Sequence, residues 1–274
     1  MTPVGSAGTV TCLLTLDVGA PTRLAVQVAV ARRTGLDISE RLAVVNNTVP
    51  ATAEEIAGSD GGRQHLITAQ PGTLSVSYEA TVVRTAAPTA EPVTGAQLSV
   101  AVRPSRYCPS DRMAGFARSH FGEIADERDR VRAICAYLWQ HVAYETTTDD
   151  PRTDAVDTLL AGRGVCRDFA HLVTALCRAV EIPARMAAVY APGLSPMDFH
   201  AVVETVIGGR WCVWDATRLA PRPTLVRIST GRDAADVAFS TVISGRAELT
   251  GLEITATAPG DLPLDDHQQT VTLG

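Results

Sequence analysis

Cys166 opens the run Cys166-Arg167-Asp168-Phe169-Ala170-His171-Leu172, directly after a glycine-punctuated loop, Gly162-Arg163-Gly164-Val165. A cysteine attacks only as its thiolate. Apolar residues at Phe169, Leu172, Val173, Leu176, Cys177 and Val180 have the spacing of one helix face, and Pro183 ends the pattern. The spacing predicts a helix that starts at or beside Cys166. Free backbone N–H groups and the positive end of the helix dipole gather at such a start. They stabilise a thiolate, and they can donate to an oxyanion. A small buried thiol is the bland alternative, and position alone does not separate the two.

His200 and Asp215 supply the rest of a reactive set. Asp198–Ile207 and Arg210–Thr217 are β-rich, and Gly208-Gly209 lies between them. Two strands joined by two glycines read as a hairpin whose turn fixes its register. Ile207 then pairs with Arg210, Val203 with Trp214 and Val202 with Asp215. Side chains alternate, so His200, Val202 and Asp215 share one face. His200 and Asp215 become diagonal neighbours, about 7 Å apart at Cβ, which brings imidazole and carboxylate within hydrogen-bond reach. Nucleophile, base and orienting carboxylate are the general plan of an activated thiol.

The motifs Gly164-Val-Cys-Arg-Asp-Phe-Ala-His-Leu172, Ile182-Pro-Ala-Arg185, Asp198-Phe-His-Ala-Val-Val-Glu204 and Trp214-Asp-Ala-Thr217 resemble those of the transglutaminase-like superfamily. Within it they are most similar to the bacterial transglutaminase-like cysteine proteases. The resemblance runs from about Arg103 to the C-terminus. It implies a papain-like fold, with a cysteine-bearing helix packed on an antiparallel sheet, and a catalytic triad of Cys166, His200 and Asp215.

The elements that must position these residues follow from the rest of the chain. The length of 274 residues predicts one large or two smaller domains, and 46% hydrophobic content is enough to bury a core. From about Thr9 to Arg103 alternating and β-branched runs are separated by Gly, Pro, Asn and Asp, which predicts a β-sandwich. Ala86–Pro92 reads as a loop inside it, because the strand-like Gln97–Val102 follows. The boundary is placed at Arg103-Pro104, giving a β-rich domain over 1–103 and a catalytic domain over 104–274. The fold class is thus α+β. In the second part, Ser110 or Asp111 starts a helix to about His120. A second helix runs from Asp126 to Val142 with one apolar face, Thr146–Asp154 is a polar loop, and Ala155–Leu160 is a short helix. Leu249, Leu252, Ile254, Val271 and Leu273 point to edge strands that complete the sheet.

Composition narrows the function. Net charge is −6 without a basic block, so nucleic acid and anionic membranes are not expected partners. All 24 basic residues are arginine, so the chain offers no lysine amine for crosslinking to itself. No leader-like segment or long apolar stretch is present, and a cytoplasmic protein is expected. The six cysteines have no zinc spacing, so no metal or other cofactor is expected, and most should be buried thiols. Asp168 and His171 lie about 200° and 140° around the helix from Cys166, which points them away from the thiol. Trp139, Gln140 and Tyr144 are candidates for a side-chain oxyanion donor, with no choice among them. Arg218, Arg222, Arg227 and Arg232 form either a rim for an acidic group or salt bridges with Asp233 and Asp236; the second is favoured slightly. The expected function is hydrolysis of a peptide or protein amide through a Cys166 thioester. Transglutaminase-type transfer to an amine is the alternative, and a silent binding or scaffold protein the further one. The β-rich segment holds no reactive constellation, so its expected role is scaffold or substrate platform.

Overall fold

The computed structural model describes residues 5, 7–86, 92–146 and 150–273. Parts of the two expected loops, residues 87–91 and 147–149, lie outside the described residues.

The N-terminal half is built on β1 (Ala7–Val26). Val10, Cys12, Leu14, Leu16 and Val18 are buried in strict alternation, the pattern of a strand with one face on a core. β2 (Leu36–Asn46), β3 (Val49–Ala51), β4 (Ala53–Ala57), β5 (Arg63–Ala69) and β6 (Gly72–Arg84) follow. β6 pairs with the first part of β1 and β5 with Thr22–Val26. The expected two-sheet sandwich is not what the hydrogen bonds form. They join all these strands, with β13 (Ser240–Thr257) from the far end of the chain, into one seven-stranded sheet. β3 and β4 stand at opposite ends of its strand order and only Thr52 separates them, so the sheet curls into a nearly closed, barrel-like shape. The physical reason is bending within strands. Register shifts between β1 and β13 around Leu16, Ala20 and Arg23 mark bulges, and bulges turn a strand without ending it.

Gln97–Val102 is helical, not a strand: α1 spans Gly95–Ala101. Ala-Gln-Leu-Ser-Val-Ala alternates as a strand would, but Thr94 and Gln97 form a reciprocal capping box that decides for the helix.

The second half begins with a 3₁₀ turn, Ser110–Met113, leading into α2 (Ala114–Phe121). α3 (Glu127–His141) is capped by Asp126 and buries Val131, Ile134, Cys135 and Leu138. β7 (Ala143–Tyr144) follows it, then α4 (Ala155–Ala161) and β8 (Arg163–Gly164), and β7 and β8 pair in parallel. α5 (Cys166–Ala179) carries the cysteine. A four-stranded antiparallel sheet of order β11-β10-β9-β12 completes this half: β9 (Ala184–Tyr190), β10 (Phe199–Ile207), β11 (Arg210–Trp214) and β12 (Val226–Gly231). α5 packs Leu172 and Leu176 against one face through Met186, Val203 and Trp214. Val189, Val202 and Val213 on the other face pack with Leu194, Leu225 and Leu273. No helix among the described residues is long and apolar enough to cross a membrane.

The halves share core. Tyr190 and Ile228 of the second sheet are buried in the cluster formed by β1, β5 and β6, and the Tyr190 hydroxyl donates to the Val28 carbonyl at 2.8 Å. β13 follows the catalytic strands in sequence, yet the sheet it completes is the N-terminal one.

Candidate active site

Cys166 is the first residue of α5, as the spacing predicts. Val165 before it is extended, and its N–H donates to Asp168 Oδ2 at 3.0 Å. Arg167 donates from Nε and Nη2 to the other oxygen at 3.2 and 3.0 Å. Asp168 is therefore spent on holding the helix start. His171 is engaged through one nitrogen: its Nε2 accepts the Ala234 N–H at 3.1 Å, and its ring stacks on Tyr107 with centroids 5.1 Å apart. Burial takes its pKa down to about 3, so it stays neutral.

All six cysteines are free, and Cys166 alone is not buried. Burial raises the pKa of Cys12, Cys108 and Cys135 to about 12 and lifts those of Cys177 and Cys212 as well.

The hairpin has the register that its turn dictates. Gly208 and Gly209 both take positive φ, 58° and 75°, the geometry of a type I′ turn, with Ile207 opposite Arg210 and Val203 opposite Trp214. The ladder ends at that last pair. Asp215 lies one residue past β11, so the expected Val202–Asp215 pair is not part of it. His200 Nε2 nevertheless donates to Asp215 Oδ2 at 2.9 Å, and both side chains are sealed from solvent. Oδ1 of Asp215 accepts the Thr217 N–H at 2.9 Å and the Thr217 hydroxyl at 2.7 Å. Sequence reasoning missed Thr217; its signal was the Asp-x-Thr spacing of a turn closed by its own side chains.

The charges of this pair support each other. Burial pushes the His200 pKa down, but the Asp215 carboxylate, its hydrogen bond and the Cys166 thiol outweigh that and raise it to about 10. Burial pushes the Asp215 pKa up, and His200 and Thr217 overcome it and hold it below the usual carboxylate range. With Nε2 on Asp215 and Nδ1 free of any other partner, Nδ1 is the nitrogen left to serve the Cys166 thiol.

Of the three candidate oxyanion donors, Tyr144 reaches the thiol's own helix end. The β7–β8 pairing sets it opposite Gly164, its ring leans on Phe169 at 6.0 Å, and its phenol lies beside the backbone N–H of Cys166. Burial and the neighbouring thiol raise its pKa. Trp139 instead lies half-exposed under the Arg218 guanidinium, 4.9 Å from its ring centroid.

The four arginines after Asp215 do not form one rim. Arg232 pairs with Asp236 at 2.8 Å, Arg227 with Glu204, and the fully buried Arg222 with Asp265 at 2.8 Å. Asp233 caps α6 (Ala234–Val237) instead of binding an arginine. Arg218 has no carboxylate partner among the described residues. There, too, no three His, Cys, Asp or Glu side chains converge as a metal site.

Residues 114–216 match the model of the transglutaminase-like superfamily. The crystal structure of a "putative cysteine protease" from Cytophaga hutchinsonii is 34% identical, covers 97% of this chain and 94% of its own, and superposes with a TM-score of 0.87. The periplasmic domain of TgpA from Pseudomonas aeruginosa is a more distant likeness: 17% identity, 79% of this chain, 88% of that one, and a TM-score of 0.43. An uncharacterized protein of Mycobacterium leprae is 27% identical over 157 residues, which is 53% of this chain and 55% of that protein, so the match spans about half of each. With one matched structure followed along nearly its whole length, and the family's own motifs lying around Cys166, this chain belongs to the transglutaminase-like superfamily.

Proposed function

We propose that the protein is a cysteine-dependent amide hydrolase in which Cys166 is the nucleophile, His200 the general base and acid, and Asp215 the orienter. The observation that carries this is the sealed 2.9 Å hydrogen bond between His200 Nε2 and Asp215 Oδ2, beside the one cysteine that is not buried. In the resting enzyme His200 already holds the proton taken from the thiol, on Nδ1, so Sγ attacks the amide carbon as a thiolate. The new oxyanion accepts from the Cys166 N–H, and the Tyr144 hydroxyl is the second donor. His200 then gives its proton to the leaving amine, and Sγ is left as a thioester. Water, deprotonated by His200, attacks the thioester, releases the acid and returns the thiol. Asp215, fixed by Thr217, keeps the ring turned so that Nδ1 faces sulfur.

An amine in place of water gives acyl transfer through the same thioester. Hydrolysis is favoured by the protease description of the relative that is 34% identical. The test is incubation with a library of acyl donors, with and without a primary amine. Hydrolysed product that the amine does not divert supports the proposal. A product that appears only with the amine replaces it with acyl transfer, and no turnover of any donor, together with an inert Cys166, overturns both.

A further inference from the structure

Arg218 is the one arginine of its group left without an acid. It stands three residues beyond Asp215, right after the Thr217 clamp, and its own φ of +57° is left-handed. Few side chains other than glycine adopt that region, so the backbone gives up some stability to aim this residue. The Asp215 carboxylate is answered by His200 and Thr217 and does not use it. Arg218 is exposed, stands over the half-exposed Trp139, and lines a cleft of about 470 Å³ that also touches Trp214 and Asp215. The other charges there are spent: Arg222 pairs with Asp265, and Arg132 with Asp129 at 2.9 Å. Burial lowers the pKa of His267, which leaves it neutral. Trp139 holds the guanidinium plane in place and restricts its rotamers, which lowers the ordering cost of binding a planar anion.

We propose that Arg218 is a specificity-determining residue that selects substrates carrying a carboxylate near the scissile amide, with the cleft that Arg218 shares with Asp215, the partner of His200, receiving the acidic group. The inference rests on Cys166 being the nucleophile. A guanidinium fork matches a carboxylate at two points, and no lysine in the chain offers an alternative cation.

Two thiol reagents separate this proposal from the reading beneath it. Iodoacetamide is neutral; iodoacetate carries the carboxylate. In the 274-residue chain the iodoacetate-to-iodoacetamide rate ratio at Cys166 should fall about tenfold in Arg218→Met and further in Arg218→Glu, the size expected for one charge-assisted hydrogen bond. Arg246→Met, which changes an exposed arginine on β13, should leave the ratio alone. Peptide amides matched except for Glu, Gln or Lys flanking the scissile bond should give the same order: Glu best in the wild type, and the preference lost in Arg218→Met. An unchanged reagent ratio, or an equal fall in Arg246→Met, overturns the assignment of Arg218. A Cys166 that reacts with iodoacetamide no faster than the buried thiols overturns the nucleophile itself.

Discussion

Asp168 fills the space that a side chain at residue 164 would need. A Cβ on Gly164 would lie 2.7 Å from the Asp168 Cβ and 2.9 Å from its Oδ2. That oxygen accepts the Val165 N–H and so shapes the turn that presents Cys166. Gly164→Ala must therefore displace the cap. It should cost about 1–3 kcal/mol, as overpacking does, and slow alkylation of Cys166. Thermal unfolding and iodoacetamide labelling read both effects. Unchanged labelling in a destabilised variant would mean that the cap serves stability alone.

Cys166 should be the only thiol labelled by iodoacetamide near neutral pH. The other five are buried, and burial raises their pKa values, so they hold little thiolate there. Peptide mapping after brief labelling checks this, and His200→Ala should slow the reaction. Equal labelling of two or more cysteines would end the argument from exposure.

What was legible in the sequence was local. The Gly208-Gly209 turn carries its register in two residues, so the approach of His200 to Asp215 could be worked out by counting. The start of α5 could be read because helix periodicity and the preceding glycines agree. Long-range features were not legible. Nothing in Ser240–Thr257 says that it pairs with β1, more than two hundred residues earlier, so the completed sheet was assigned to the wrong neighbours. Tyr144 reaches Cys166 through a parallel pair of two-residue strands, too short to leave a periodic signal. In α1 an alternating pattern pointed to a strand, and a capping box of two side chains prevailed.

Asp215→Asn should leave the fold intact and lower turnover by up to about 10⁴, the effect of losing the orienting charge in a triad. The pH profile adds a second reading. Asp215 is the main cause of the raised His200 pKa of about 10, so the imidazolium that protonates the leaving amine persists through neutral pH. Wild-type turnover should decline on the alkaline side near that value, and in Asp215→Asn the decline should begin at lower pH. An alkaline limb at the same pH in both proteins would place its origin in another group.

Glu40 gives the N-terminal sheet an acid-sensitive joint. Burial raises its pKa, but Arg63, the Tyr78 hydroxyl and Arg32 outweigh that and lower it from 4.5 to about 2. A folded pKa below the unfolded one stabilises the protein above about pH 4.5, and that stability is lost as pH falls through about 2. Unfolding temperature should therefore fall over this window in the wild type. In Glu40→Gln it should be lower at pH 6 and flatter below pH 4.5. Parallel curves for the two proteins would show that other carboxylates carry the acid response.

Asp60 ties the N-terminal sheet to β9 and β12 and, through Arg185 and Glu204, to the strand that carries His200. It sits in a left-handed turn, φ 52°, between β4 and β5. Its Oδ2 accepts from Arg185 at 2.7 Å and from the Thr230 hydroxyl at 2.8 Å, and its Oδ1 accepts from Gln97 of α1 at 2.9 Å. Arg185 also binds the fully buried Glu204 at 2.8 Å, and Arg227 binds the same carboxylate. Glu204 stands four residues along β10 from His200. Asp60→Ala leaves Arg185 buried with one acid where it had two. Breaking a buried pair by removing one partner costs about 3–5 kcal/mol, far more than a surface contact. The variant should lose that much in urea unfolding, and its folded fraction should keep a reactive Cys166, since no Asp60 atom belongs to the thiol's surroundings. A chain begun at Pro104 loses more: Asp60, the β1 partner of all of β13, and the cover over Tyr190 and Ile228. It should show no cooperative unfolding transition. If that shortened chain does unfold cooperatively and its Cys166 labels at the rate of the 274-residue chain, the first 103 residues are a separable platform, and the shared core is not needed to hold the site.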